Sequence, residues 1–244
     1  MKKWKKLVII VVVLLVGAFW VQARGSSQFL NNGFQALFYH SMRIEGNFPS
    51  VNPLGIALQE FEKAVKEGEP TGEALLMMAM IYQHLNRPGT ALGYYLQFAE
   101  TQPEEVWVYP LIGDLYHEMG RTQEANECYT RAVGDGEGEQ SFARAYFGIG
   151  TVAFEQGHYQ EAKEAFEQAL SNSGDFLDAR LNLGKTLYYL EDYDQAIETL
   201  ERAQLQAPRS PLVLYYLGLS YEAVGRLEQA QHSFQRMEEV QKTR

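Results

Sequence analysis

The sequence predicts an all-α fold: a solenoid of five to six helix-turn-helix units, each 34 residues long, preceded by one apolar helix. Three observations predict it. GIGTVAFEQGHYQEA at 148–162 is echoed by NLGKTLYYLEDYDQA at 182–196 and by YLGLSYEAVGRLEQA at 216–230, one step of 34 residues each time. Within each copy, apolar residues recur at helical spacing on both sides of a turn. Ahead of the copies, Leu7–Val21 is continuously apolar over 15 residues.

The first element is read from that apolar run. MKKWKK precedes LVIIVVVLLVGAFWVQA, Leu7–Ala23, in which Gln22 is the one strongly polar residue. A membrane span needs about 20 apolar residues, and a signal-peptide core fewer. Val21 and Ala23 suit cleavage after Ala23; bulky Phe19 and Trp20 oppose it. Trp4 and Trp20 suit the two membrane interfaces. Lys2, Lys3, Lys5 and Lys6 ahead of the span, with Arg24 alone just behind it, place the N-terminus in the cytoplasm. The expectation is a single-pass membrane protein: a basic tip and signal anchor at 1–24, membrane contact through 7–23, a linker at 25–33, and an extracytoplasmic body in the periplasm or at the cell surface. The alternative is a protein secreted after cleavage following Ala23.

The remaining elements follow from the repeat, which is sought before anything else. With Gly150, Gly184 and Gly218 at position 8, the units run 143–176, 177–210 and 211–244. Gly113 gives 106–139, separated by the insertion Gln140–Phe142, and Ala79 gives 72–105. A degenerate unit occupies 34–71, with a longer loop through EGNFPSVNP and a second helix LGIALQEFEKAV. Tyr146, Ile149, Gly150 and Ala153 form one face of a first helix; Ala162, Phe166 and Ala169 form the face of a second. EQGHY between them supplies the glycine on which the chain reverses. Small residues at positions 8 and 20 let the two helices approach. Pro103 and Pro208, at position 32, end second helices. In the final helix Leu227, Ala230, Phe234 and Met237 are expected inward, with Gln231, His232, Gln235 and Glu238 outward, as a capping unit requires.

These residues resemble the tetratricopeptide repeat. The match is carried by Leu214, Leu217, Gly218, Tyr221, Gly225, Ala230 and Phe234 in the last unit. At 106–139 it is carried by Tyr109, Ile112, Gly113, Tyr116, Gly120, Ala125, Tyr129 and Ala132. Arg180 and Glu191 depart from the pattern, as do Asn86, Pro88 and Phe98. The resemblance implies a right-handed superhelix whose concave surface is lined by positions 2, 5, 9 and 12 of each first helix.

Composition excludes several function classes. There are 31 acidic residues against 21 basic, and four of the latter stand in the first six positions, so the body repels phosphate backbones. Nucleic acid is therefore not an expected partner. The lone Cys128 forms no intrachain disulfide and no cysteine metal cluster, and reads as a packing residue. The histidines at 40, 84, 117, 158 and 232 share no metal-ligand spacing. GDGEGE at 134–139 lacks the lysine of a phosphate loop and the regular ligands of a calcium loop, and reads as a connector. No catalytic constellation, cofactor site or metal site emerges, so no enzyme is expected.

The concave positions carry the functional reading. They comprise Leu76 and Met80; Trp107, Asp114 and His117; Arg144, Phe147, Thr151 and Phe154; Asp178, Leu181, Lys185 and Tyr188; and Leu212, Tyr215, Leu219 and Glu222. Arg144, Asn182 and Lys185 lie scattered among aromatics, so a clamp for an acidic peptide terminus is not expected. An apolar or aromatic segment of a protein partner is. The sequence thus predicts a non-enzymatic, membrane-anchored interaction scaffold of the cell envelope, serving assembly, secretion or complex organisation. The alternatives are a self-assembling protein whose groove is filled by itself, and aromatics that are simply packed.

Overall fold

The computed structural model describes residues 32–37, 53–67, 71–134 and 139–242, in which every regular element is a helix. Two compact units divide the chain, Met1–Glu105 and Val106–Arg244.

The first unit holds a short helical stretch at 32–37, then α1 (Pro53–Lys66), α2 (Thr71–His84) and α3 (Pro88–Thr101). Ala36, Ala57, Phe61, Ala64, Ala74, Met78 and Ile81 form its core. Phe34 meets Phe61 edge-on, with ring centroids 5.5 Å apart.

The second unit begins with a 3-10 turn, Val106–Val108, and continues as four hairpins. These are α4 (Tyr109–Glu118) with α5 (Thr122–Gly134), and α6 (Glu139–Glu155) with α7 (Tyr159–Asn172). Then come α8 (Leu177–Tyr189) with α9 (Tyr193–Gln206), and α10 (Pro211–Ala223) with α11 (Leu227–Lys242). Each hairpin packs on the next, so a face that one pair of helices cannot bury is covered by its neighbour.

One hydrogen-bond pattern ends every first helix from α2 onward. His158 N–H donates to Ala153 O at 2.9 Å and Gly157 N–H to Phe154 O at 3.0 Å, a Schellman termination. Gly157 takes φ +79°, with Gly120 and Gly225 alike at +74° and +72°. Where glycine is missing the turn keeps its geometry: Asn86 sits at φ +58° and Glu191 at +61°. Second helices close before Pro103 and Pro208, with α3 ending at Thr101 and α9 at Gln206. The Gln140–Phe142 insertion lies within a helix, making α6 17 residues long. Residues 135–138 of the GDGEGE stretch lie outside the described residues.

The packing differs from expectation at position 8. What fills the notch over the glycine is the side chain at position 24, an aromatic ring or, over Gly184, Leu200, while the position-20 alanines Ala125, Ala162 and Ala196 are fully buried beside it. A Cβ on Gly113 would stand 2.5 Å from Tyr129, and one on Gly218 the same distance from Phe234. Arg180, at a position that is elsewhere apolar, bonds Gln206 Oε1 and Gly174 O, tying α8 to its own hairpin and to the preceding turn. In α11, Ala230 is buried and Phe234 and Met237 are half-buried, but Leu227, expected inward, is 59% exposed.

The membrane expectation requires correction. Among the described residues no helix is long and apolar enough to cross a membrane, which overturns the single-pass topology and the localisation drawn from it. The most apolar helices, α2 and α10, have 14 and 13 residues, short of the roughly 20 a span needs. In α10, Val213, Leu214, Leu217 and Tyr221 are buried in hairpin packing. Leu7–Ala23, on which the expectation rested, lies outside the described residues.

Candidate protein-binding face

In the first unit, Leu76 and Met80 are half-buried on α2. The other candidate residues all belong to the second unit. Trp107 is 39% exposed in the 3-10 turn, and Arg144, Glu222 and Tyr215 are exposed, Tyr215 at 40%. Asp114, Phe147, Thr151, Phe154, Leu181, Lys185, Tyr188 and Leu219 are half-buried. They stand on the first helices of successive hairpins, α4, α6, α8 and α10, which contact one another in sequence.

At the α4 end the charges neutralise one another. Arg144 donates through Nε at 2.7 Å, and through Nη2, to the same oxygen of Asp114, and the other oxygen accepts from Tyr129 Oη at 2.8 Å. Burial, then the Asp114 charge and this bond, push the Tyr129 phenol far above its ordinary range. His117 Nε2 lies 2.9 Å from Glu155 Oε2. Asp114, His117, Arg144, Phe147, Phe176 and Asp178, with Ala143 and Ser173, line an open cleft of about 660 Å³ between α4, α6 and α8.

Farther along, aromatic rings take over. Lys185 Nζ stands 4.0 Å from the centroid of Phe154, and burial lowers its pKa against the opposing pull of Glu155. Phe154 also meets Tyr159 and Tyr189, which stack on each other at 5.1 Å. Tyr188 contacts Tyr189, Tyr193 and Tyr216, and Tyr216 leads on to Tyr215. Burial, then a hydrogen bond with Tyr189, raises the Tyr216 pKa. The result is one connected run of rings across α6, α8 and α10, its exposed members being Tyr189 at 44% and Tyr215 at 40%.

The structure adds residues that the concave-position rule misses. Phe176 and Ser173 come from the turn between hairpins, and Tyr159 and Tyr193 from the first residues of second helices. Tyrosine doublets at 188–189 and 215–216 are the one sequence signal for the ring cluster. Among the described residues, no group of three or more His, Cys, Asp or Glu side chains is placed to hold a metal ion. Burial pushes the Cys128 thiol up to about 11, the setting of a packed cysteine, not of a nucleophile.

Comparison with known proteins follows this geometry. Residues 153–215 match the tetratricopeptide repeat model, and residues 75–174 match a domain of unknown function, DUF7017. The hairpins within 153–215 are thus similar to tetratricopeptide repeats. The chain is 28% identical over 171 residues to human cilia- and flagella-associated protein 70, covering 70% of this chain and 15% of that protein. It is 32% identical over 100 residues to the photosystem I assembly protein Ycf3 of Prochlorococcus marinus, covering 38% of this chain and 56% of Ycf3. The tetratricopeptide protein YrrB, described as having an unusual peptide-binding site, superposes with a TM-score of 0.60 at 21% identity, over 74% of this chain and 92% of YrrB. At that identity YrrB speaks to the fold alone.

Proposed function

We propose that this chain is a non-enzymatic interaction scaffold that binds an apolar, aromatic-bearing segment of another protein along the inner face of α4, α6, α8 and α10. The observation that carries the reading is the exposure of Leu212 at 58% and Tyr215 at 40%, on helix positions that the hairpin stack does not use. Large apolar side chains left at the surface beside half-buried rings are the composition of a binding hot spot. One named relative, an assembly protein, points the same way. The test places Leu212→Asp with Tyr215→Asp on this face and compares it with Asp at Gln168, exposed on α7. Loss of the co-purifying partner from the first variant alone supports the reading; equal retention by both contradicts it.

A further inference from the structure

The cleft between α4, α6 and α8 is chemically unlike the ring cluster beside it. Its floor is apolar: Phe147 and Phe176 lie with centroids 5.0 Å apart and planes tilted by 43°. Its charged groups are unequal. The Arg144 guanidinium is committed to Asp114 through two N–H groups, whereas the exposed Asp178 carboxylate makes no ion pair among the described residues. Glu155 adds a further negative charge on His117.

We infer that this cleft takes an arginine side chain from the partner segment, an assignment that rests on the scaffold reading above and names the partner's anchor residue. A planar guanidinium lies on a phenyl face while its N–H groups reach a carboxylate, a combination that the compact lysine ammonium does not match. An anionic side chain meets Asp178 and a cation already spent. The chain uses the same chemistry internally: Arg121 stands 4.4 Å from the Tyr116 centroid while its Nε donates to Glu124 Oε1, and Arg131 stands 4.3 Å from the Tyr109 centroid. The occupant is therefore a segment in which apolar residues flank an arginine.

The test uses the full chain and three fluorescein-labelled heptapeptides of leucine and glycine, identical except for arginine, norleucine or glutamate at the centre. The arginine peptide is expected to bind about tenfold tighter than the norleucine peptide, and the glutamate peptide weakest. Asp178→Asn, a change at an exposed side chain with no bond to break, erases that preference and leaves the norleucine peptide unaffected. Equal binding of arginine and norleucine, or a preference that survives Asp178→Asn, overturns the inference. So does failure of all three peptides to bind; a discrete heterologous crosslink from Tyr215 in the same preparation then shows that the scaffold reading itself stands. A mass that rises with concentration and falls back in Asp178→Asn places a second copy's arginine in the cleft and overturns the heterologous assignment.

Discussion

The ring of Phe166 occupies the space that a side chain on Gly150 would need: a Cβ built there lies 2.7 Å from Cδ1 and from Cε1. Phe166 is fully buried and held by Phe147 at 5.8 Å, so it has nowhere to retreat. Gly150→Ala is therefore expected to destabilise the fold by about 1–3 kcal/mol, the cost of overpacking a filled core. Thermal or urea unfolding checks this, with Gly174→Ala, which meets open space, as the comparison.

Glu191 performs a glycine's task at φ +61°. Left-handed backbone costs an L-residue roughly 1–2 kcal/mol, part of which glycine returns through its greater freedom when unfolded. Glu191→Gly should raise stability by about 0.5–1 kcal/mol, read as a higher urea midpoint at unchanged slope. The reverse change at Gly157 should lower it.

Alkaline pH should loosen the hairpins through two phenols. Tyr221 Oη donates to Glu201 Oε1 at 2.6 Å, and burial with this bond raises its pKa to about 12. The unfolded phenol titrates near 10. The contribution is thus whole below about pH 10 and is lost as pH rises toward about 12, because the unfolded chain releases its proton first. Tyr129, raised by burial and Asp114, adds to the same trend. Tyr221→Phe should flatten part of the stability loss in this window, as followed by circular dichroism.

Cys128 should be a slow thiol. With a pKa of about 11, its thiolate fraction at pH 8 is roughly two-hundredfold below that of a free cysteine of pKa 8.5. Iodoacetamide labelling of the native chain, compared with the urea-unfolded chain, checks it.

Much of this architecture was legible in the sequence because helical spacing and small residues recur in phase. Gly150, Gly184 and Gly218 could be placed on first helices from the interval alone, and Gly113 once the insertion at 140–142 is allowed for. Their use could not: that Tyr129, Phe166 and Leu200 fill the glycine notches depends on hairpin geometry, which spacing does not encode. The insertion at 140–142 is helical, since Gln, Ser and Phe carry no stop signal, but the repeat interval alone assigns it no structure. Positions 2, 5, 9 and 12 name candidates for the face but omit Phe176, which reaches the cleft from a turn outside that rule. The charge pairing was also hidden: Asp114 and Arg144 are 30 positions apart and meet only when α4 packs on α6.

The most direct measurement of the central claim is site-specific photocrosslinking in cells. The reactive residue replaces exposed Tyr215 or Tyr189 of the ring cluster, with exposed Gln168 on α7 as the control. The account predicts a discrete heterologous product from the ring-cluster positions alone. Products common to all three positions, or products formed only with another copy of this chain, would contradict it.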